Sequence, residues 1–200
     1  MTEYFPADQS QWAMLAGAAL LLLLGYLIYR LRRGGNQLER VLDAISHDQI
    51  DHLLIPNGDE GEIQIDRLLL TPKGLLIVDI KDVVGTVFGS DKMQEWTVIS
   101  KDRRYTFSNP QPALYDRIAA VRQIVRQVPV SGRILFLEGA DFTKGVPNMV
   151  CDLDDLMHEY GDQDENAAKV KVEAFKPHWD LIRKEALDAQ VGAIISRRSA

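Results

Sequence analysis

"QIDRLLLTPKGLLIVDIK", residues 64–81, is two runs of branched aliphatic residues separated by Thr71-Pro72-Lys73-Gly74. Short apolar runs bounded by turn-forming residues read as buried strands, and Pro and Gly inside so short a break read as a hairpin turn. With residues 71–74 as the loop, Leu70 pairs with Leu75. A regular antiparallel register then sets Leu69 against Leu76, Leu68 against Ile77, Arg67 against Val78, Asp66 against Asp79 and Gln64 against Lys81.

Asp66, Asp79 and Lys81 thus fall on strands whose composition calls for burial. Opposed side chains on neighbouring strands have Cβ atoms about 4.5–5.5 Å apart, and like charges there repel. Asp79 and Lys81, two residues apart, share one face. The register therefore predicts a cluster of Asp66, Asp79 and Lys81. Two close carboxylates either share a proton or hold a cation, and hard oxygen ligands suit Mg²⁺, which keeps several waters and takes one or two carboxylates from a protein. The alternative is an ordinary surface salt bridge between Asp66 and Lys81 at the strand ends, worth about 0–1 kcal/mol.

Working outward, Leu38, Val41, Leu42 and Ile45 recur at helical spacing and predict a helix over residues 37–46. A strand is expected at 51–55, a loop at 56–61, and further strands at 85–88, 95–100 and 103–107. Asn109-Pro110 precedes a helix expected at 113–127, with Leu114, Ile118, Val121, Ile124 and Val125 on one face. Strands at 133–137 and 148–151 and helices at 154–160 and 165–190 complete an α/β pattern, read as a mixed sheet flanked by helices.

The N-terminus is of another kind. No charge falls between Asp8 and Arg30, and "WAMLAGAALLLLLGYLIY", residues 12–29, is apolar throughout. About 20 such residues cross a hydrocarbon core of roughly 30 Å. Trp12, Tyr26 and Tyr29 stand where interfacial aromatics stand, and Arg30, Arg32 and Arg33 follow at once. A cleaved leader would carry a basic start and a small-residue cleavage site, and here Glu3 and Asp8 precede the apolar run and "RLRR" follows it. The expectation is one uncleaved span at the cytoplasmic membrane, N-terminus outside and basic side inside. The organisation expected is a non-cytoplasmic tail at 1–8, a transmembrane helix at 9–29, a basic, glycine-containing linker at 30–36, a mixed α/β domain at 37–145 and its C-terminal helical extension at 146–200.

The net charge of −6 excludes a protein that coats nucleic acid by bulk attraction. Residues 30–133 are nevertheless almost neutral, with 15 Lys+Arg against 14 Asp+Glu, so this part can approach a polyanion. Lys101, Arg103 and Arg104 form the candidate nucleic-acid contact, with a solvated turn as the alternative. One cysteine, Cys151, forbids an intramolecular disulfide. The four histidines show no metal-ligand spacing with it, and there is no glycine-rich phosphate loop. Trp96 and Phe107 read as base-stacking platforms or, by the usual fate of strand aromatics, as core.

The run "GEIQIDRLLLTPKGLLIVDIKDVVGTVFGS", then Trp96, then "YTFSNP", resembles the nuclease-related domain (NERD) family in order, spacing and hairpin, over about residues 37–130. That family is similar to the PD-(D/E)xK nucleases with their restriction-endonuclease-like sheet. The resemblance implies a Mg²⁺- or Mn²⁺-dependent phosphodiesterase acting on DNA or RNA. It makes Asp66 and Asp79 the metal carboxylates and Lys81 the lysine that positions water. Glu39 would be a further acid on the first helix. The sequence departs from the pattern at several points. Asp79 replaces the usual Glu, Arg67 stands where His is common, Leu38 rather than Gly precedes Glu39, and Ala113 stands where Gln is frequent, with Gln111 nearby. An inactive nuclease-fold module tethered to the membrane, serving a protein partner through the acidic stretch 152–165, is the alternative to the enzyme.

Overall fold

The structure, a computed structural model, describes residues 37–56, 61–161 and 164–198 together with Gly25, the last stretch of helix (residues 188–198) as backbone only. The expected membrane span at 9–29, like the tail and linker around it, lies outside the described residues apart from Gly25. Among the described residues no helix is long and apolar enough to cross a membrane. By its internal contacts the chain divides into Met1–Arg40 and Val41–Ala200, and the sheets belong to the second unit.

A helix over residues 37–45 (α1) leads into three antiparallel strands, β1 (Asp48–Pro56), β2 (Glu62–Thr71) and β3 (Gly74–Lys81). Then come β4 (Gly85–Phe88), β5 (Glu95–Ile99) and β6 (Arg104–Ser108), followed by α2 (Pro110–Ile124) and β7 (Val130–Phe136). The chain continues through β8 (Ala140–Asp141), β9 (Val150–Cys151), α3 (Leu153–Tyr160) and α4 (Glu165–Arg198). The sequence predicts one mixed sheet; the structure has two. The larger runs β1-β2-β3-β7-β9, with β7 and β9 parallel to β3, and the smaller runs β6-β5-β4-β8. The two-residue β8 pairs in parallel with β4 (Gly85↔Ala140), a contact between segments far apart in sequence that no local pattern announces.

The hairpin keeps the predicted register. Leu70 pairs with Leu75, Leu69 with Leu76, Leu68 with Ile77 and Arg67 with Val78. It also goes one step further, because Thr71 pairs with Gly74 and the turn shrinks to Pro72-Lys73. Thr71 holds it from both sides: its Oγ1 donates to Gly74 O at 2.8 Å and accepts from Lys73 N at 3.1 Å. Pro72 is locked at negative φ, and the positive φ falls on Gly74, at +117°. A Cβ there would lie 2.3 Å from Pro129 O, the carbonyl that accepts from Leu75 N at 2.9 Å.

β3, the central strand between antiparallel β2 and parallel β7, is buried on both faces from Gly74 to Asp79. Leu75 and Ile77, with Leu68, Leu70 and Ile134, pack under Leu114, Ile118 and Val121 of α2 and Trp179 and Ile182 of α4. The alternating residues Leu69, Leu76, Val78 and Leu135, equally buried, point to the other side. Trp96 has no exposure and packs against Phe107, Phe136 and Phe142, with centroids 6.0–6.3 Å away. It is core, not a stacking platform.

α2 begins three residues before its expected start. Asn109 caps it, its side-chain oxygen accepting from Gln111 N at 2.9 Å, and Pro110 takes the first helical position, where its missing N–H costs nothing. The helix stops at Ile124, short of the expected 127, because Val125 turns extended and buries itself.

Candidate active site

At the end of β3 furthest from the turn, strand alternation puts Asp79 and Lys81 on the face that α2 covers. Asp79 is 3% exposed, deep for a carboxylate. Its Oδ1 accepts from Lys81 Nζ at 2.9 Å, and its Oδ2 faces Arg117 Nη1 at 3.4 Å. Lys81 and Arg117 are 30% and 22% exposed, so both cations reach solvent while the anion they share does not.

Asp66, half-buried on β2, lies close enough to Asp79 for the two carboxyl groups to interact. The neighbouring pair Arg67↔Val78 fixes the register that sets the two acids side by side. Burial first, and then the neighbouring Asp79, hold the Asp66 carboxyl above its ordinary value, and Arg117 and Lys81 pull the other way. The three residues singled out on the hairpin are therefore together, on one face, with two acids competing for charge.

That donor set fits a small hard cation. A divalent ion relieves the repulsion between the two carboxylates, and Mg²⁺ takes one or two protein carboxylates and fills its shell with water. Among the described residues no group of three or more His, Cys, Asp and Glu gathers, so the acids at 66 and 79 would be the protein's contribution. Cys151 is buried, and burial pushes its thiol up to about 12, so it is protonated and inert at neutral pH.

The basic candidates lie on a different hairpin. Lys101 and Arg103 sit in the β5–β6 turn and Arg104 opens β6, all three exposed. Arg103 stacks over Tyr105 at 5.3 Å. Among the described residues no hydrogen bond or ion pair joins that hairpin to Asp66, Asp79 or Lys81. Glu39 lies half-buried on α1. Arg67, in the place where the family pattern has His, makes an ion pair with Asp51 of β1.

Arg117 is the residue that the sequence reading missed. It comes from α2, a helix fixed at its start by a polar clasp. The Gln111 side chain, 4% exposed, donates from Nε2 to Asp91 Oδ1 and to Asn148 O, both at 2.7 Å. Asn148 in turn binds Asp91 through its backbone N–H (2.8 Å) and its side-chain amide (2.6 Å). The Asn-Pro-Gln segment thus ties α2 to the β4–β5 turn and to the loop before β9. Further along, α2 lies close on β7 at Gly132, where a Cβ would come 2.8 Å from Leu114 Cδ1. The signal was present: Leu114, Arg117, Ile118 and Val121 occupy i, i+3, i+4 and i+7, so a guanidinium stands in the apolar stripe.

Against known proteins, the family model described as "Nuclease-related domain" matches residues 29–137, just over half of the chain and somewhat more than the 37–130 marked by the motifs. An uncharacterized protein of Bacillus anthracis is 30% identical over 86 residues, which is 43% of this chain and 41% of that protein. The chain thus aligns with less than half the length of that curated relative. No solved structure matches.

Proposed function

The chain belongs to the nuclease-related domain family, and from that premise we propose that it is a metal-dependent phosphodiesterase cutting nucleic acid at the cytoplasmic face of a membrane. The observation that carries this reading is the pair of neighbouring carboxylates Asp66 and Asp79 with Lys81 Nζ 2.9 Å from Asp79 Oδ1. Asp66 and Asp79 would hold Mg²⁺ or Mn²⁺. When bound, such an ion polarises a phosphoryl oxygen and lowers the pKa of a coordinated water.

The chain's own groups do the rest. Lys81, held to Asp79 Oδ1, keeps an ammonium beside the carboxylates, where it orients a nucleophilic water and offsets negative charge that grows in the transition state. Burial of Asp79 removes bulk water from one side of the site and strengthens those charge interactions. Lys101, Arg103 and Arg104 on their exposed hairpin would meet backbone phosphates, which set affinity without reading sequence. The uncharged run 9–29 followed by Arg30, Arg32 and Arg33 would supply the anchor.

The test is cleavage of plasmid DNA and of RNA by the full-length chain with Mg²⁺ or Mn²⁺, beside Asp66→Asn, Asp79→Ala and Lys81→Ala. We expect cleavage by the parent and its loss in all three variants. Equal cutting by parent and variants would remove the assignment. No cutting and no cation binding by calorimetry at millimolar metal would leave the inactive, membrane-tethered module in its place.

A further inference from the structure

Lys81 and Arg117 both touch Asp79, but they are held differently. Lys81 makes the tighter contact, 2.9 Å to Oδ1. Arg117 stands at 3.4 Å from Oδ2 and is fixed by something else: its Nε donates to Gln64 O of β2 at 2.8 Å. A guanidinium is planar and carries five N–H donors in a rigid fork. The Gln64 bond sets that plane at the edge of the carboxylate pair, and Nη2 makes no hydrogen bond among the described residues. The head group is partly solvent-exposed, and α2, which delivers it, is clasped at its start by buried Gln111.

We propose that Arg117 is the phosphate-binding residue of this site and, through Asp79, the positive charge that a divalent cation competes with. The inference rests on the phosphodiesterase reading and extends it. Lys81, engaged at 2.9 Å by Asp79 and set beside the attacking water, leaves the grip on the phosphate oxygens to another group. A pinned fork with an unused edge suits the paired oxygens of a phosphodiester, and planar bidentate recognition is what distinguishes arginine from lysine. The 3.4 Å contact is also the weaker hold on Asp79, so it is the one that yields when an oxygen of Asp79 is needed elsewhere. A residue serving only to strut α2 against β2 would have no such double character.

The double character gives the test its signs. The full-length chain, Arg117→Gln and Arg117→Lys are titrated with a labelled DNA oligonucleotide and with RNA of the same sequence, in EDTA, at several salt concentrations. Mn²⁺ binding is measured separately by calorimetry without nucleic acid. Arg117→Gln should bind the oligonucleotide roughly tenfold more weakly, with a log–log salt slope smaller by about 1, and at the same time bind Mn²⁺ more tightly. Arg117→Lys should keep the salt slope and recover part of the affinity, and it serves as the working comparison if the Gln variant melts early. The DNA and RNA arms show which polymer supplies the phosphate. If both affinities fall together, or neither moves, Arg117 is structural and the inference is wrong. If the parent binds neither Mn²⁺ nor either polymer, the phosphodiesterase reading fails, and the inference with it.

Discussion

Burial holds the Asp66 carboxyl above its ordinary value of 3.8, and Asp79 beside it adds to the effect. The sign of the consequence for stability follows directly. A carboxyl whose folded value is raised contributes stability in its protonated form. That stability is full below 3.8 and is lost as the pH climbs through the raised folded value. At pH 7 and without divalent cations, the ionised Asp66 is therefore a burden on the fold. Asp66→Asn should melt higher than the parent at pH 7 in EDTA, with the gap closing as both are taken into acid. Asp79 answers two cations and is almost fully buried. Asp79→Asn takes from Lys81 and Arg117 the buried anion that they share and should cost about 3 kcal/mol, the low end for a broken buried pair because both cations touch water. Melts of the two variants across pH 4–8 decide the matter. A shift of the same sign for both at pH 7 would mean that the two acids do not sit in the different environments described.

At the level of elements, the hairpin depends on one position. Gly74 holds φ at +117° with Pro129 O against the place a Cβ would occupy, so Gly74→Ala meets both backbone strain and a clash with main chain. It should destabilise the fold by about 3 kcal/mol, the upper end for a strained backbone position, read as a lower urea midpoint at unchanged slope. A variant with the parent's midpoint would show that the turn relaxes. This hairpin is also where the sequence was most readable. Two uninterrupted apolar runs and a Pro-Gly break fix a register within a few residues, so Asp66, Asp79 and Lys81 could be placed together from letters alone. The smaller sheet was not readable, because β8 is two residues long and pairs with a strand some 50 residues earlier. The start of α2 was readable in principle, since Asn109-Pro110 is a cap followed by a first-turn proline, but the apolar stripe begins later and drew the boundary with it. Arg117 was hidden for a related reason. Its place in the stripe is visible, but that it reaches Asp79 depends on how α2 lies across β2 and β3, a tertiary fact set by Gly132 and the Gln111 clasp.

For the whole molecule, a net charge of −6 and a C-terminal part with 8 Lys+Arg against 13 Asp+Glu over residues 134–200 leave little long-range attraction for either nucleic acid or an anionic lipid surface. Membrane attachment, if it rests on charge, should then be feeble and should vanish in salt, since exposed charges are screened beyond roughly 10 Å at 0.1 M. Attachment through residues 9–29 behaves otherwise, because burying about 20 apolar residues is insensitive to ionic strength. We expect the full-length chain to sediment with cytoplasmic membranes and to stay there through high-salt and carbonate washes, and a chain lacking residues 1–36 to appear in the supernatant. Release of the full-length chain by either wash would overturn the anchor. The nuclease reading would survive that result, because Asp66, Asp79 and Lys81 stand on the hairpin and Arg117 on α2.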